Sequence, residues 1–89
     1  MRIRFTVVFS KRAEEKFENY IRSDRKLGRQ IASAIDRLSL NPELGEFLKG
    51  EWKDYRKYRS GRYRIIYRVE RSKLIIYIIT INDRKDVYR

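Results

Sequence analysis

Residues 55–70 read YRKYRSGRYRIIYRVE, and this stretch decides the fold. Ser60–Gly61 is a turn pair between two runs in which side-chain character alternates. Alternation with a period of two marks a strand, and a short glycine-containing turn between two such runs marks a hairpin. The expectation is a strand over 53–59 and a second over 62–70. Successive side chains in a strand point to opposite faces. Tyr55, Lys57 and Arg59 therefore share one face, and Arg56 and Tyr58 the other. On the second strand Arg64, Ile66 and Arg68 lie opposite to Tyr63, Ile65 and Tyr67. Five of the ten residues 55–64 are basic and none is acidic. A hairpin so charged repels itself. Either it is a solvated sheet edge whose cations deter aggregation, or it holds a polyanion.

Working outward, the run LIIYIITI (74–81) reads as a third strand. The short polar link Arg71–Lys73 joins it to the second in another antiparallel hairpin. It is apolar on both faces, so it belongs inside the sheet with helices on one side. At the other end of the chain, residues 2–9 alternate, with Ile3, Phe5, Val7 and Phe9 on one face, and read as a strand. Ser10 suits a helix N-cap, and Ala13, Phe17, Tyr20 and Ile21 then recur at helical spacing over 11–22. Ser23–Asp24 interrupt the pattern. Leu27, Ile31, Ala34, Ile35 and Leu38 form a second stripe over 25–40, which Asn41–Pro42 ends. Gly28 weakens the first turns of this second helix. Residues 43–50 read as a loop containing the short apolar piece Phe47–Leu48. The order predicts one α+β domain over 1–89, β-α-α-β-β-β, in which an antiparallel-rich sheet including the first strand packs on a helical hairpin.

Composition narrows the chemistry. Lys and Arg number 23 against 12 acidic residues, a net charge of +11. That excess points to a polyanionic partner (nucleic acid, an acidic protein or an anionic membrane surface) or to a plain solvated basic surface. The absence of cysteine and histidine rules out disulfides, thiol chemistry, imidazole catalysis and zinc-finger sites. The acidic residues show no metal-loop spacing, so neither metal nor cofactor is expected. The longest uncharged run, Leu74–Asn82, has nine residues and is too short to span a membrane. The run Phe5–Phe9 is too short for a signal-peptide core. The expected location is the cytosol.

The segment LKGEWKDYRKYRSGRYRIIYRVE, followed by an apolar strand and then NDRKDVY, resembles the RelE/ParE toxin superfamily. That family's C-terminal pattern runs leucine–x–glycine, then a tyrosine–arginine–x–glycine–x–tyrosine–arginine hairpin, then a histidine–arginine pair shortly before a valine–tyrosine. The opening VVFSKRAEEKFENY and the helix end LSLNP fit as well, so the resemblance spans nearly the whole chain. It implies the toxin of a type II toxin–antitoxin system. The RelE branch cleaves mRNA in the ribosomal A site, whereas the ParE branch inhibits DNA gyrase and lacks the full catalytic set. Carried over position by position, the resemblance implies Lys57 and Arg59 on the hairpin's first strand, Arg64 on its second, and Arg84 and Tyr88 beyond the last strand. Asp83 stands where the family has histidine and is expected to bring a negative charge beside the phosphate. Alignment before Tyr58 can slip, so Arg56 competes with Lys57. The implied partners are the ribosome, mRNA and an acidic, partly disordered antitoxin.

Such a site has defined work to do. The 2′-hydroxyl of RNA must be activated, the phosphate charge stabilised and the 5′-oxygen protonated as it leaves. Lys57, Arg59 and Arg64 would stabilise the transition-state charge. Arg84 would neutralise charge near the leaving group, and Tyr88 is the candidate base, since nearby cations favour a phenolate. Arg56, Arg62, Lys53 and Lys85 are further candidates for RNA contact. Tyr63 and Tyr67 face Ile65 and belong to the core. Trp52 is either a packing residue at the hairpin end or a stacking platform. The expected function is a ribosome-dependent endoribonuclease toxin. The alternatives are a gyrase inhibitor without nuclease activity and an inert relative acting in an autorepressing complex.

Overall fold

The computed structural model describes residues 3–83. Its elements are β1 (Thr6–Phe9), α1 (Lys11–Ser23), α2 (Arg25–Leu40), β2 (Glu46–Phe47), β3 (Arg56–Ser60), β4 (Tyr63–Glu70) and β5 (Ile75–Asp83), with 3-10 turns at Pro42–Leu44 and Gly50–Trp52. This is the expected α+β architecture. The strands form one sheet in the order β1-β5-β4-β3-β2, with β1 parallel to β5 and the other neighbours antiparallel.

Each helix starts where a side chain can satisfy its free N–H groups. Ser10 Oγ accepts from the Ala13 N–H at 3.0 Å and donates to the Ile79 carbonyl at 2.6 Å, so the cap of α1 is also its anchor to β5. Asp24 separates the two helices, and its carboxylate accepts from the Leu27 N–H at the start of α2. Gly28 has a reason beyond propensity. A Cβ there would meet the Ile21 Cα at 2.9 Å, so glycine is what lets the two helices approach.

The apolar faces of both helices cover one face of the sheet. Ala13, Leu27, Ile31, Ala34 and Leu38 close over Ile65, Tyr67, Ile76, Ile78 and Ile81, all nearly or fully buried. The buried Tyr67 hydroxyl donates to the Pro42 carbonyl at 2.6 Å and accepts from the Gly45 N–H at 2.9 Å, which ties the loop after α2 to the sheet. Burial pushes the Tyr67 phenol pKa up, and the Gly45 N–H and Arg56 oppose that. Tyr63, 3% exposed, donates to the Gln30 carbonyl. Both tyrosines are core, as the alternation of β4 implied.

Besides β1, which begins at Thr6 rather than at residue 2, three expectations about the elements need correction. The first concerns residues 46–47, expected as loop, which pair with β3. Two residues are too few to display a period, and Phe47 is exposed, so no pattern announces the strand. Second, β3 begins at Arg56 rather than at residue 53, because the chain first makes the 3-10 turn Gly50–Trp52. Third, β5 continues to Asp83 and carries a bulge. Ile66 pairs with Thr80 but Tyr67 with Ile78, leaving Ile79 without a cross-strand partner. Buried isoleucines therefore fall at 76, 78 and 81, a broken period that makes the strand look apolar on both faces. Among the described residues no helix is long and apolar enough to cross a membrane.

Candidate nucleic-acid interface

Neither helix lies on the second face of the sheet. Register shows what gathers there. Arg59 stands directly opposite Arg64, and Lys57 opposite Ile66. On the outer side of Lys57 stands Glu46, and on the far side of Arg64 stands Asn82. Arg68 lies opposite Tyr77, its guanidinium 4.7 Å from the ring centroid. The face thus carries Lys57, Arg59, Arg64 and Arg68 around the half-buried Ile66.

These cations are not balanced evenly. Arg68 is paired with Glu70 at 3.2 Å, and Glu70 also accepts from Ser72. The Ser72 hydroxyl, then Arg68, hold the Glu70 carboxyl below its ordinary range. Arg64 is different. Its Nε is buried and has no hydrogen-bond partner among the described residues. A buried donor without an acceptor costs stability, and so do like charges facing each other across two strands. The Arg59–Arg64 pair is therefore the candidate place for an anion on this face.

The other predicted residues divide. Arg56 points to the opposite face from Lys57, where its guanidinium donates to the Gly45 carbonyl at 2.7 Å and lies 3.8 Å from the Phe47 ring centroid. The competition between Arg56 and Lys57 for a place on the open face is thus decided by the pleat. Arg62, in the turn between β3 and β4, is bound bidentately to Asp83, at 2.7 Å and 3.3 Å, and reaches Asp24 at 3.4 Å. Asp83, and more weakly Asp24, raise its pKa further. Lys53 is exposed ahead of β3, away from the Arg59–Arg64 register. Arg84, Lys85 and Tyr88 lie outside the described residues. Trp52 is 52% exposed and packs edge-on to Tyr55, with ring centroids 5.1 Å apart.

The expectation for Asp83 is overturned. Asp83 pairs with the buried Tyr63 and shares its helix-side face. Its carboxylate is taken by Arg62, and its N–H donates to the Tyr20 hydroxyl at 3.0 Å. Among the described residues its carboxylate thus lies on the face opposite to Arg59 and Arg64. Sequence reasoning missed two members of the open face, Glu46 and Tyr77, and gave no role to a third, Arg68. Arg68 was visible in the alternation of β4, but nothing there distinguished it from a solvated charge. Tyr77 was hidden by the bulge and Glu46 by the shortness of β2. Among the described residues no group of three acidic side chains is placed to hold a metal.

The fold recurs in solved structures. The toxin–antitoxin complex RelBE2 of Mycobacterium tuberculosis holds a chain 21% identical, with a TM-score of 0.82 over 92% of this chain and 93% of that one. The YoeB/ParE toxin of Agrobacterium tumefaciens is 25% identical, with a TM-score of 0.77 over 88% and 96%. The intact RelBE complex of E. coli holds a chain 18% identical, with a TM-score of 0.71 over 89% and 95%. No curated protein matches the chain in sequence. The family model describing the ParE toxin of the type II toxin–antitoxin system parDE matches residues 7–88. The chain belongs to the ParE toxin family of type II toxin–antitoxin systems, within the RelE/ParE superfamily.

Proposed function

We propose that this toxin cleaves mRNA on the ribosome, with the open face of the sheet as its phosphate site. The observation that carries the reading is the Arg59–Arg64 pair, with the buried Arg64 Nε that has no partner among the described residues. In the proposed reaction the RNA 2′-oxygen loses its proton and attacks the adjacent phosphorus. The phosphorus–O5′ bond breaks, leaving a 2′,3′-cyclic phosphate and a 5′-hydroxyl. Arg59 and Arg64 hold the charge that grows on the phosphoryl oxygens. Among the described cations on this face Lys57 is the one amine, and an amine is a better proton donor than a guanidinium, so it serves the departing O5′, with Arg84 as a second cation. Glu46, beside Lys57 in the register, is one candidate proton acceptor, and Tyr88, at a position that the family resemblance supplies, is the other. A site without histidine is a weak catalyst for free RNA, and a ribosome that holds the message in line supplies the missing positioning. An acidic antitoxin would neutralise the same face, and its coexpression should restore growth.

Primer extension on translating ribosomes tests the reading. Wild-type protein should cut within the A-site codon, and Arg64→Ala should cut about 100-fold less, in keeping with loss of one preorganised transition-state donor. Ribosome binding should fall far less, since many cations share it. The ParE family match favours a second reading, a gyrase inhibitor. Inhibition of purified gyrase with no cut in the message would replace the first reading by this one.

A further inference from the structure

We propose that Arg68 and Tyr77 form a base-stacking subsite for single-stranded RNA, displaced along β4 from the Arg59–Arg64 phosphate site. The proposal rests on reading the open face as an RNA site and adds where a neighbouring base lies. Arg64 and Arg68 point to one face four residues apart in sequence, so they stand about 13 Å apart along the strand. Ile66 lies between them with Thr80 across from it, a largely apolar floor of the kind a base can cover.

The Arg68 guanidinium is unlike the others on this face. It lies over the Tyr77 ring and is pinned by Glu70, which Ser72 holds in turn. Its side chain is nonetheless 36% exposed, so the guanidinium remains reachable from solvent. A planar cation fixed on an aromatic ring is a platform already ordered before RNA arrives. Bases stack on aromatic rings and on arginine planes alike, and a preordered platform loses little rotamer freedom on binding. Paired with Glu70, Arg68 has little net charge to offer a phosphate, which makes stacking its distinctive contribution.

A short 2′-O-methyl RNA, which lacks the nucleophile and cannot be cleaved, carries 2-aminopurine at successive positions and is titrated with the full-length protein at low salt. At one position wild-type protein should quench the fluorescence. Arg68→Lys keeps the charge but loses the plane. It should lose that quench and bind about tenfold more weakly, with the salt dependence unchanged. Tyr77→Leu should behave alike while keeping its thermal transition. Arg59→Thr should lower the affinity and shift the salt dependence, yet keep the quench in the bound fraction. Tight binding without a quench at any position, or a quench that survives Arg68→Lys, would overturn the subsite and leave the phosphate site standing. Failure of the wild type to bind this RNA at low salt would remove both.

Discussion

Arg59 and Arg64 stand directly opposite one another in the antiparallel β3–β4 pair, on the face that neither helix covers. Their repulsion is a standing cost to the fold. Arg59→Thr should therefore raise the melting temperature by about 1–5 °C, since a cross-strand repulsion of this kind is worth a fraction of a kcal/mol in a small domain. The same change should lower cleavage of ribosome-bound message at least tenfold. A variant that melts earlier, or cleaves normally, would show that the pair is ordinary surface.

Arg62 and Asp83 make the opposite kind of pair. Asp83 is 6% exposed, and Arg62 binds its carboxylate at 2.7 Å. Removing the arginine takes a bidentate partner from a buried charge, whereas removing the charge from the acid leaves only an exposed arginine. Arg62→Ala should lower the melting temperature by several degrees and Asp83→Asn by less, as thermal denaturation will show. Restoration of wild-type stability in the double variant would identify the buried carboxylate as the cause.

Tyr67 gives a pH signature. Its phenol pKa is raised in the folded state, so the folded protein keeps the proton to higher pH than the unfolded chain. The stability tied to the neutral phenol is complete below the ordinary value of about 10 and is lost as pH rises through the folded value. Tyr67→Phe should be less stable at pH 7 by about 1–3 kcal/mol, because the Gly45 N–H and the Pro42 carbonyl lose their partner. The gap between the two proteins should narrow above about pH 10. Denaturant titrations across pH 7–11 measure it, and parallel curves would exclude Tyr67 as the cause of alkaline loss.

Gly45 links this core to the site. A Cβ there would meet the Tyr67 hydroxyl at 2.6 Å and the Lys57 carbonyl at 3.0 Å. Gly45→Ala should destabilise by about 1–3 kcal/mol, as overpacking does. It should also depress cleavage beyond what the unfolded fraction explains, since relief of the clash moves the Lys57 backbone. Comparing activity per folded molecule separates the two effects.

Sequence carried the fold where a period was long enough to be seen. The alternation in 55–70 put Lys57 with Arg59 on one strand and Arg64 with Arg68 on the next, and it is the register that brings the two sets to one face. It could not carry what depends on tertiary geometry. A bulge at Ile79 shifts the parity of β5, so the placement of Asp83 was out of reach. A two-residue strand has no pattern of its own, so Glu46 read as loop. The pairing of Arg68 with Tyr77 is a property of register between strands, which neither strand alone contains.

Glu46 and Tyr88 are rival proton acceptors, and variants tell them apart. A carboxylate accepts a proton at neutral pH, whereas a phenol there is itself protonated unless cations shift it. Glu46 also enters the face from β2, beside Lys57 and two strands from Arg64. Glu46→Gln keeps the shape and removes the base, and should lower single-turnover cleavage on ribosomes by about 100-fold, the lower range for lost general-base catalysis. Tyr88→Phe should cost less than about tenfold, the mark of a ring that stacks rather than a hydroxyl that takes a proton. Arg71→Ala serves as the control. Arg71 is paired with Glu43 on the exposed link after β4, and its loss should leave the cut unchanged. If Tyr88→Phe abolishes the cut while Glu46→Gln leaves it intact, the base is the tyrosine, and Glu46 is there only to offset the charge of Lys57.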